Sequence, residues 1–200
     1  MGKKLELIWL NKDKEMNVEP RILIEDKKKS FYLDSPANLI DVGPTFNNVL
    51  IHGDNLLALK ALEQDFSNKI KCIYIDPPYN TGSAFKTYDD GIEHSTWLSL
   101  MAPRLKSLRT LLSDNGVIFV QIDDNEHCYL KVLMDEIFGR DNFVADLIWR
   151  KKSGGGQDSE YFVIEHEYIL VYKKKRWKIL NSCEEPLEVD FPKLINGRKA

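Results

Sequence analysis

Ile73-Tyr74-Ile75-Asp76-Pro77-Pro78-Tyr79-Asn80-Thr81-Gly82 runs from an apolar strand into a turn that holds a carboxylate, two prolines and an aromatic ring. These residue types suit chemistry on an amino nitrogen attached to a heteroaromatic ring. Such a nitrogen is a poor nucleophile because its lone pair is delocalised, so a catalyst must draw the pair back. Asp76 can accept one amino N–H, and Pro77, with no N–H of its own and a locked φ, offers its carbonyl as a fixed second acceptor. Two acceptors favour a pyramidal nitrogen. Tyr79 adds a flat, amphipathic ring on which a base pulled out of its helix can stack. A rigid Asp-Pro surface turn is the plain alternative, but ligands of open α/β sheets bind beyond the carboxyl ends of strands, where this tetrapeptide falls.

The elements that must position the turn follow from periodicity. Asn48 to Gly53 reads as a short strand, and Asp54 as the cap of a helix whose apolar positions Leu59, Leu62 and Phe66 keep helical spacing. Ile70 to Ile75 is almost uninterrupted apolar sequence, the pattern of a parallel strand buried on both faces. A helix over about Ser95 to Leu112 carries the stripe Leu98, Met101, Leu105, Leu108 and Leu112, with Arg104, Lys106 and Arg109 off it and a kink expected at Pro103. Ser113-Asp114-Asn115-Gly116 reads as a turn and Val117 to Ile122 as a buried strand. Asp123 and Glu126 then resemble a capping box for a helix buried through Leu130, Leu133, Met134 and Ile137 and stopped by Gly139. Phe143 to Lys151 and Glu167 to Tyr172 read as an antiparallel pair of strands. No internal repeat is visible.

Bulk properties exclude several classes. The 200 residues are 43% apolar and 30% charged, enough for one folded domain with a core. A net charge of −3 is not that of a body that holds nucleic acid by charge alone, so contacts to phosphate fall to local runs such as Lys27-Lys28-Lys29, Arg150-Lys151-Lys152 and Lys173-Lys174-Lys175-Arg176 with Lys178. A solvated surface is an equal reading for each run. Cys72, Cys128 and Cys183 are odd in number and far apart, which points to reduced thiols in a cytoplasm. None sits where a nucleophile for attack at a ring carbon is needed. His52, His94, His127 and His166 lack metal-ligand spacing, so no metal is expected. Neither a membrane span nor a signal peptide is visible, and no membrane partner is expected.

The Asp76-Pro77-Pro78-Tyr79-Asn80-Thr81-Gly82 run resembles the catalytic motif of amino-directed DNA methyltransferases, the adenine-N6 branch in particular. His52-Gly53-Asp54-Asn55-Leu56-Leu57-Ala58-Leu59, Ser83-Ala84-Phe85, His94-Ser95-Thr96-Trp97-Leu98, Asp123-Asp124-Asn125-Glu126 and His166-Glu167-Tyr168-Ile169-Leu170-Val171-Tyr172 are similar to the modification subunits of type III restriction systems. The likeness runs from about Leu5 to about Lys174.

It implies an α/β fold: a partial Rossmann-like methyltransferase with a doubly wound, mostly parallel sheet that lacks its Gly-rich first strand. It also implies S-adenosylmethionine as methyl donor, Asp76, Pro77, Pro78 and Tyr79 as catalytic residues, and Asp54 with Asp76 as cofactor contacts. For Asp54 the helix-cap reading weighs equally. The implied partners are double-stranded DNA with a flipped adenine, a restriction subunit, and a second copy of the chain.

The family's Phe-x-Gly-x-Gly turn is absent, and Gly154-Gly155-Gly156 lacks a strand-turn-helix frame, so it reads as a flexible loop near DNA. Because the resembled subunits are circularly permuted, with the Gly-rich half last, the expectation is the N-terminal part of a longer enzyme, inactive alone. Residues 1–45 would form an arm, 46–174 the catalytic part and 175–200 the start of a linker or target-recognition region. In that arrangement Ile70–Ile75 has an open edge, leading to self-association or to an inward shift of Asn48–Gly53 to pair with it. Methylation of cytosine N4 or of an RNA amino group, or a remnant that binds without transferring, are the alternative readings.

Overall fold

In the computed structural model, residues 6–14, 18–19, 21–30, 48–81, 93–151 and 162–178 are described, with the backbone of 194–195 and 198–199. The Gly154–Gly156 loop, Ser83-Ala84-Phe85, Cys183 and most of the loop after the Asp-Pro-Pro-Tyr turn lie outside them.

Asp54 is the N-cap of α1 (Asn55–Phe66), its Oδ1 accepting from the Leu56 and Leu57 amides at 2.9 and 3.1 Å. Then come β1 (Ile70–Ile75), α2 (His94–Leu111), β2 (Leu112–Ile122), α3 (His127–Phe138), a short 3-10 turn at Arg140–Asn142, β3 (Phe143–Arg150) and β4 (His166–Lys173). A two-residue pair, β5 (Leu194–Ile195) and β6 (Arg198–Lys199), closes the chain.

The sheet has the order β1-β2-β4-β3. β1 pairs parallel with β2 through the α2 crossover, as a strand-helix-strand unit requires, while β4 is antiparallel to both β2 and β3. The α/β class is therefore present, with a mixed sheet among the described residues in place of a mostly parallel one. Pleating sends Ile118, Val120 and Ile122 of β2 and Leu170 and Tyr172 of β4 to one face, where they meet Trp97, Met101 and Leu105 of α2 and Leu130, Leu133 and Met134 of α3. The stripe expected on α2 is buried throughout, Pro103 lies within that helix, and Gly139 ends α3 at φ +92°. Leu7 and Trp9 pack on the same core, and Trp9 Nε1 donates to Ser99 Oγ at 2.9 Å.

Four expectations change. Asn48–Gly53 forms no strand, and Val49 and Leu50 are exposed, so the inward pairing with β1 is not adopted. β1 is not buried on both faces: only Ile73 is fully buried, and Cys72 and Tyr74 are exposed, because among the described strands β1 is an edge with β2 as its one neighbour.

Ser113–Gly116 is not a turn between elements but part of β2. Pairing steps from Ile70↔Leu112 to Cys72↔Val117, so β2 advances five residues while β1 advances two, and the excess bulges out. The bulge is stitched to the end of β4: the Lys174 amide donates to the Gly116 carbonyl at 3.0 Å, and the Lys175 and Arg176 amides to the Asp114 carbonyl. Lys174 itself is buried, its Nζ donating to Asn68 Oδ1 at 2.5 Å and the Leu112 carbonyl at 2.7 Å. One lysine of the basic run, read equally as phosphate-binding or solvated surface, is thus structural.

Gly116 faces the Ile70 carbonyl so closely that a Cβ would stand 2.8 Å from that oxygen. Backbone cannot yield as a side chain can. Gly116→Ala is expected to destabilise the chain by about 1–3 kcal/mol, read as a lower urea midpoint at unchanged m-value; an unmoved midpoint would show that the bulge relaxes freely.

Finally, Glu126 is the N-cap of α3 without a side-chain cap bond, so the capping box is not formed. Its carboxylate turns into the protein instead.

Candidate active site

Because β4 runs against its neighbours, its start lies at the same end of the sheet as the carboxyl ends of β1, β2 and β3. Four strand ends therefore converge on one place, carrying Asp76 after β1, Gln121 near the end of β2, Lys151 after β3 and Glu167 at the start of β4.

The Asp76-Pro77-Pro78-Tyr79 turn leaves the tip of β1 with Asp76 exposed. The Pro78 carbonyl is taken: the fully buried Trp97 of α2 donates its indole N–H to it at 2.8 Å. No hydrogen bond among the described residues goes to the Pro77 carbonyl. After Tyr79 the chain reverses through Asn80 at φ +60°, a left-handed conformation that Asn tolerates better than most residues. The Asn80 side chain is fixed from below, its Nδ2 donating to Glu126 Oε1 at 2.5 Å, while His94 Nδ1 lies 2.8 Å from the same oxygen. Glu126 is fully buried, and its Oε2 has no hydrogen-bond partner among the described residues. The clamp joins the turn to the first residue of α2 and the cap of α3.

Tyr79 is half-buried, and its hydroxyl donates to Glu167 Oε2 at 3.1 Å. Glu167 is buried and partnered on both oxygens: Gln121 Nε2 also donates to Oε2, and Lys151 Nζ forms an ion pair with Oε1. Burial raises the Glu167 carboxyl pKa, but the bonds from Lys151, Gln121 and Tyr79 outweigh it and hold the group below its ordinary value. Tyr79 is pushed the other way. Burial, then the neighbouring Asp76 and Glu167 carboxylates, keep its phenol protonated far above the usual range. Lys151 Nζ also lies over the Tyr79 ring, 5.6 Å from its centroid.

Beside the turn is an open, largely apolar cleft of about 820 Å³ between α1 and α2, bordered by Asp76, Pro77 and Tyr79 on one side and Gly53, Asn55 and Arg104 on the other. Arg104 of α2 is tied to the start of α1 at that rim, its Nε donating to Asn55 Oδ1 at 2.6 Å and its Nη2 lying 3.8 Å from Asp54 Oδ2. The structure therefore realises the cap reading of Asp54, at the rim of the cleft that Asp76 borders. Sequence reasoning placed Asp76, Pro77, Pro78 and Tyr79 together but not Trp97, Gln121, Glu126, Lys151 or Glu167. Trp97, Glu126 and Glu167 lay in runs that also carried the resemblance, Glu126 there read only as half of a capping box; Lys151 stood in a basic run, and nothing pointed to Gln121.

On the stacking role read from the sequence, Tyr79→Ala is expected to weaken binding of an extruded base by about 1–3 kcal/mol. Tyr79→Phe keeps the ring and loses one hydrogen bond, and is expected to cost about 1 kcal/mol or less. Titration with DNA carrying 2-aminopurine at the target position reads both; equal damage from the two variants would deny the stacking role.

The sequence pattern of the DNA methylase family matches residues 70–195. The chain is 45% identical over 152 residues to the Probable type III restriction-modification enzyme HindVI Mod subunit of Haemophilus influenzae, covering 74% of this chain and 20% of that protein. It is 39% identical over 186 residues to the type III restriction-modification enzyme StyLTI Mod subunit of Salmonella typhimurium, covering 79% and 28%. With the EcoP15I Mod subunit of Escherichia coli the identity is 33% over 223 residues, covering 95% and 33%. The chain thus spans a fifth to a third of these relatives.

Proposed function

This chain belongs to the DNA methylase family, and from that membership and the geometry of the turn we propose that it carries the catalytic part of a DNA adenine-N6 methyltransferase, the modification component of a type III restriction system. The observation that carries the reading is the pair of acceptors at the tip of β1. Asp76 is exposed, and the Pro77 carbonyl is left without a donor among the described residues because Trp97 engages Pro78 instead. An amine placed there would give one N–H to each, its lone pair would turn out of the ring plane, and Asp76 would stabilise the positive charge that builds on nitrogen as the methyl carbon leaves the sulfonium sulfur, which becomes a neutral thioether. The proton released afterwards lies in a hydrogen bond to Asp76 already.

The donor in this reading is S-adenosylmethionine, whose sulfonium supplies an electrophilic methyl group. The cleft fits such a group. It is concave, has apolar walls from α1 and α2, and carries a few convergent polar groups, with Asp76 at the inner edge and Asn55, Arg104 and the flanking Asp54 at the rim. Tyr79 receives the base after it leaves the duplex, since a stacked and paired adenine does not expose its amine to the tip of a strand. DNA is then the substrate, a restriction subunit and a second copy of the chain are the protein partners, and the cytoplasm is the place of action. None of the described helices is long and apolar enough to cross a membrane.

The test is nucleoside analysis. The full-length gene product is incubated with duplex DNA and isotopically labelled S-adenosylmethionine, and the digest is resolved by mass spectrometry. Label in N6-methyladenine is the expected result. Label confined to N4-methylcytosine or to RNA, or no transfer, overturns the proposal.

A further inference from the structure

A second carboxylate stands at the tip of the sheet, and no chemistry above uses it. Glu167 is brought there by the antiparallel placement of β4, 88 residues along the chain from Tyr79, and it is buried although it is charged. Burial of an ion is costly unless every lone pair is satisfied. Here three of its roughly four acceptor sites are taken, by the Tyr79 hydroxyl at 3.1 Å, Gln121 Nε2 and the cationic Lys151 Nζ. Gln121 is in turn oriented by the Tyr74 hydroxyl, which donates to its Oε1. The group is therefore built to be an ionised acceptor at this spot.

The phenol of Tyr79 has one proton to give, and two carboxylates compete for it. The hydroxyl is bonded to Glu167 at 3.1 Å, and the Asp76 carboxylate, three residues before Tyr79 in the same turn, is the other acidic group that helps hold the proton on the phenol. A phenol that donated to Asp76 would occupy an oxygen that the amine needs, and would have to be expelled each time substrate entered. We propose that Glu167 is a positioning residue that captures the Tyr79 hydroxyl proton, so that Asp76 stays free to accept from the amine and the Tyr79 ring stays fixed beside it. The inference rests on the methyltransferase reading and adds to it a residue that touches neither base nor donor.

The capture makes a specific pattern of effects. Removing the acceptor by Glu167→Leu frees the phenol to turn on Asp76, and is expected to lower kcat about 10- to 100-fold, with KM for DNA little changed. Tyr79→Phe alone removes the competing proton together with its bond and is expected to stay within about fivefold of wild type. In the double variant no phenol proton remains to be diverted, so activity is expected to rise above that of Glu167→Leu toward that of Tyr79→Phe. Glu167→Gln preserves shape and one acceptor oxygen, and should retain most of the activity.

The experiment is steady-state methylation of duplex DNA by the full-length gene product, these four variants and Asp76→Ala, with thermal melts of each. Rescue of Glu167→Leu by Tyr79→Phe supports the proposal. A double variant whose loss is the product of the two single losses overturns it, as does a Glu167→Leu enzyme as active as wild type. If Glu167→Leu does not fold, Glu167→Gln decides: retained activity supports capture of the proton, and a loss as deep as that of Asp76→Ala overturns it. Failure of the wild-type enzyme to methylate would instead sink the functional reading, whereas an active, Asp76-dependent wild type with additive Glu167 and Tyr79 effects sinks this inference alone.

Discussion

Asp76→Ala is expected to lower kcat for methyl transfer by about a thousandfold, while the affinities for DNA and for S-adenosylmethionine change only a few-fold. The reason is differential stabilisation. In the ground state the amine is nearly neutral and its bond to Asp76 is ordinary; as the methyl carbon closes on nitrogen the N–H becomes the donor of a cation, and the same contact becomes a charge-assisted one. Losing it therefore appears in kcat rather than in binding. Asp76 is exposed at the strand tip and makes no described hydrogen bond to the core, so the fold should not suffer. Asp76→Asn separates shape from charge: it retains an acceptor oxygen but brings its own N–H donors toward the amine, and should be nearly as damaging. Near-wild-type turnover in either variant would remove Asp76 from the mechanism.

The second large effect is on stability. Trp97 is fully buried at the junction of α2 with the turn, and its indole N–H is the one described donor to the Pro78 carbonyl, at 2.8 Å. Trp97→Ala removes a large core side chain and leaves that carbonyl without its partner, so a loss of about 3–5 kcal/mol is expected, measured by urea denaturation. Trp97→Phe keeps most of the apolar contact and loses only the hydrogen bond, at about 1–3 kcal/mol. The Phe variant carries a second signature. With Pro78 released the turn can rotate, and the Pro77 carbonyl no longer has a fixed direction, so kcat should fall although the protein remains folded at the assay temperature. A Trp97→Ala chain with an unshifted denaturation midpoint would mean that the indole is not the support of the turn.

Several features were decided by local sequence. Asp76-Pro77-Pro78-Tyr79 lies at a strand tip because an apolar run met residues that cannot continue a strand, and the α2 stripe from Leu98 to Leu108 is buried because its spacing matches the helical period. Gly139 stops α3 and Asp54 caps α1, each for reasons carried by adjacent residues.

Other features depended on which segments meet, and periodicity does not contain that information. Ile70–Ile75 reads as doubly buried, yet at the edge of the described sheet its Cys72 and Tyr74 face outward. Asn48–Gly53 has the residues of a strand but finds no partner among the described residues, and an unpaired strand has no ladder to hold it extended. Asp114-Asn115-Gly116 has the chemistry of a turn, but the β1 register and the Lys174–Arg176 amides capture it as a bulge. Glu126 has the spacing of a capping box, but Asn80 and His94 offer its carboxylate donors in the interior. Most consequential is Glu167. Alternation along β4 places it on one face of the sheet, but only the insertion of β4 against β2, in antiparallel sense, brings that face to Tyr79, Gln121 and Lys151. Motifs report the chemistry a chain can do because reactive groups sit a few residues apart. The residues that orient those groups come from distant strands, and their position exists only once the sheet has formed.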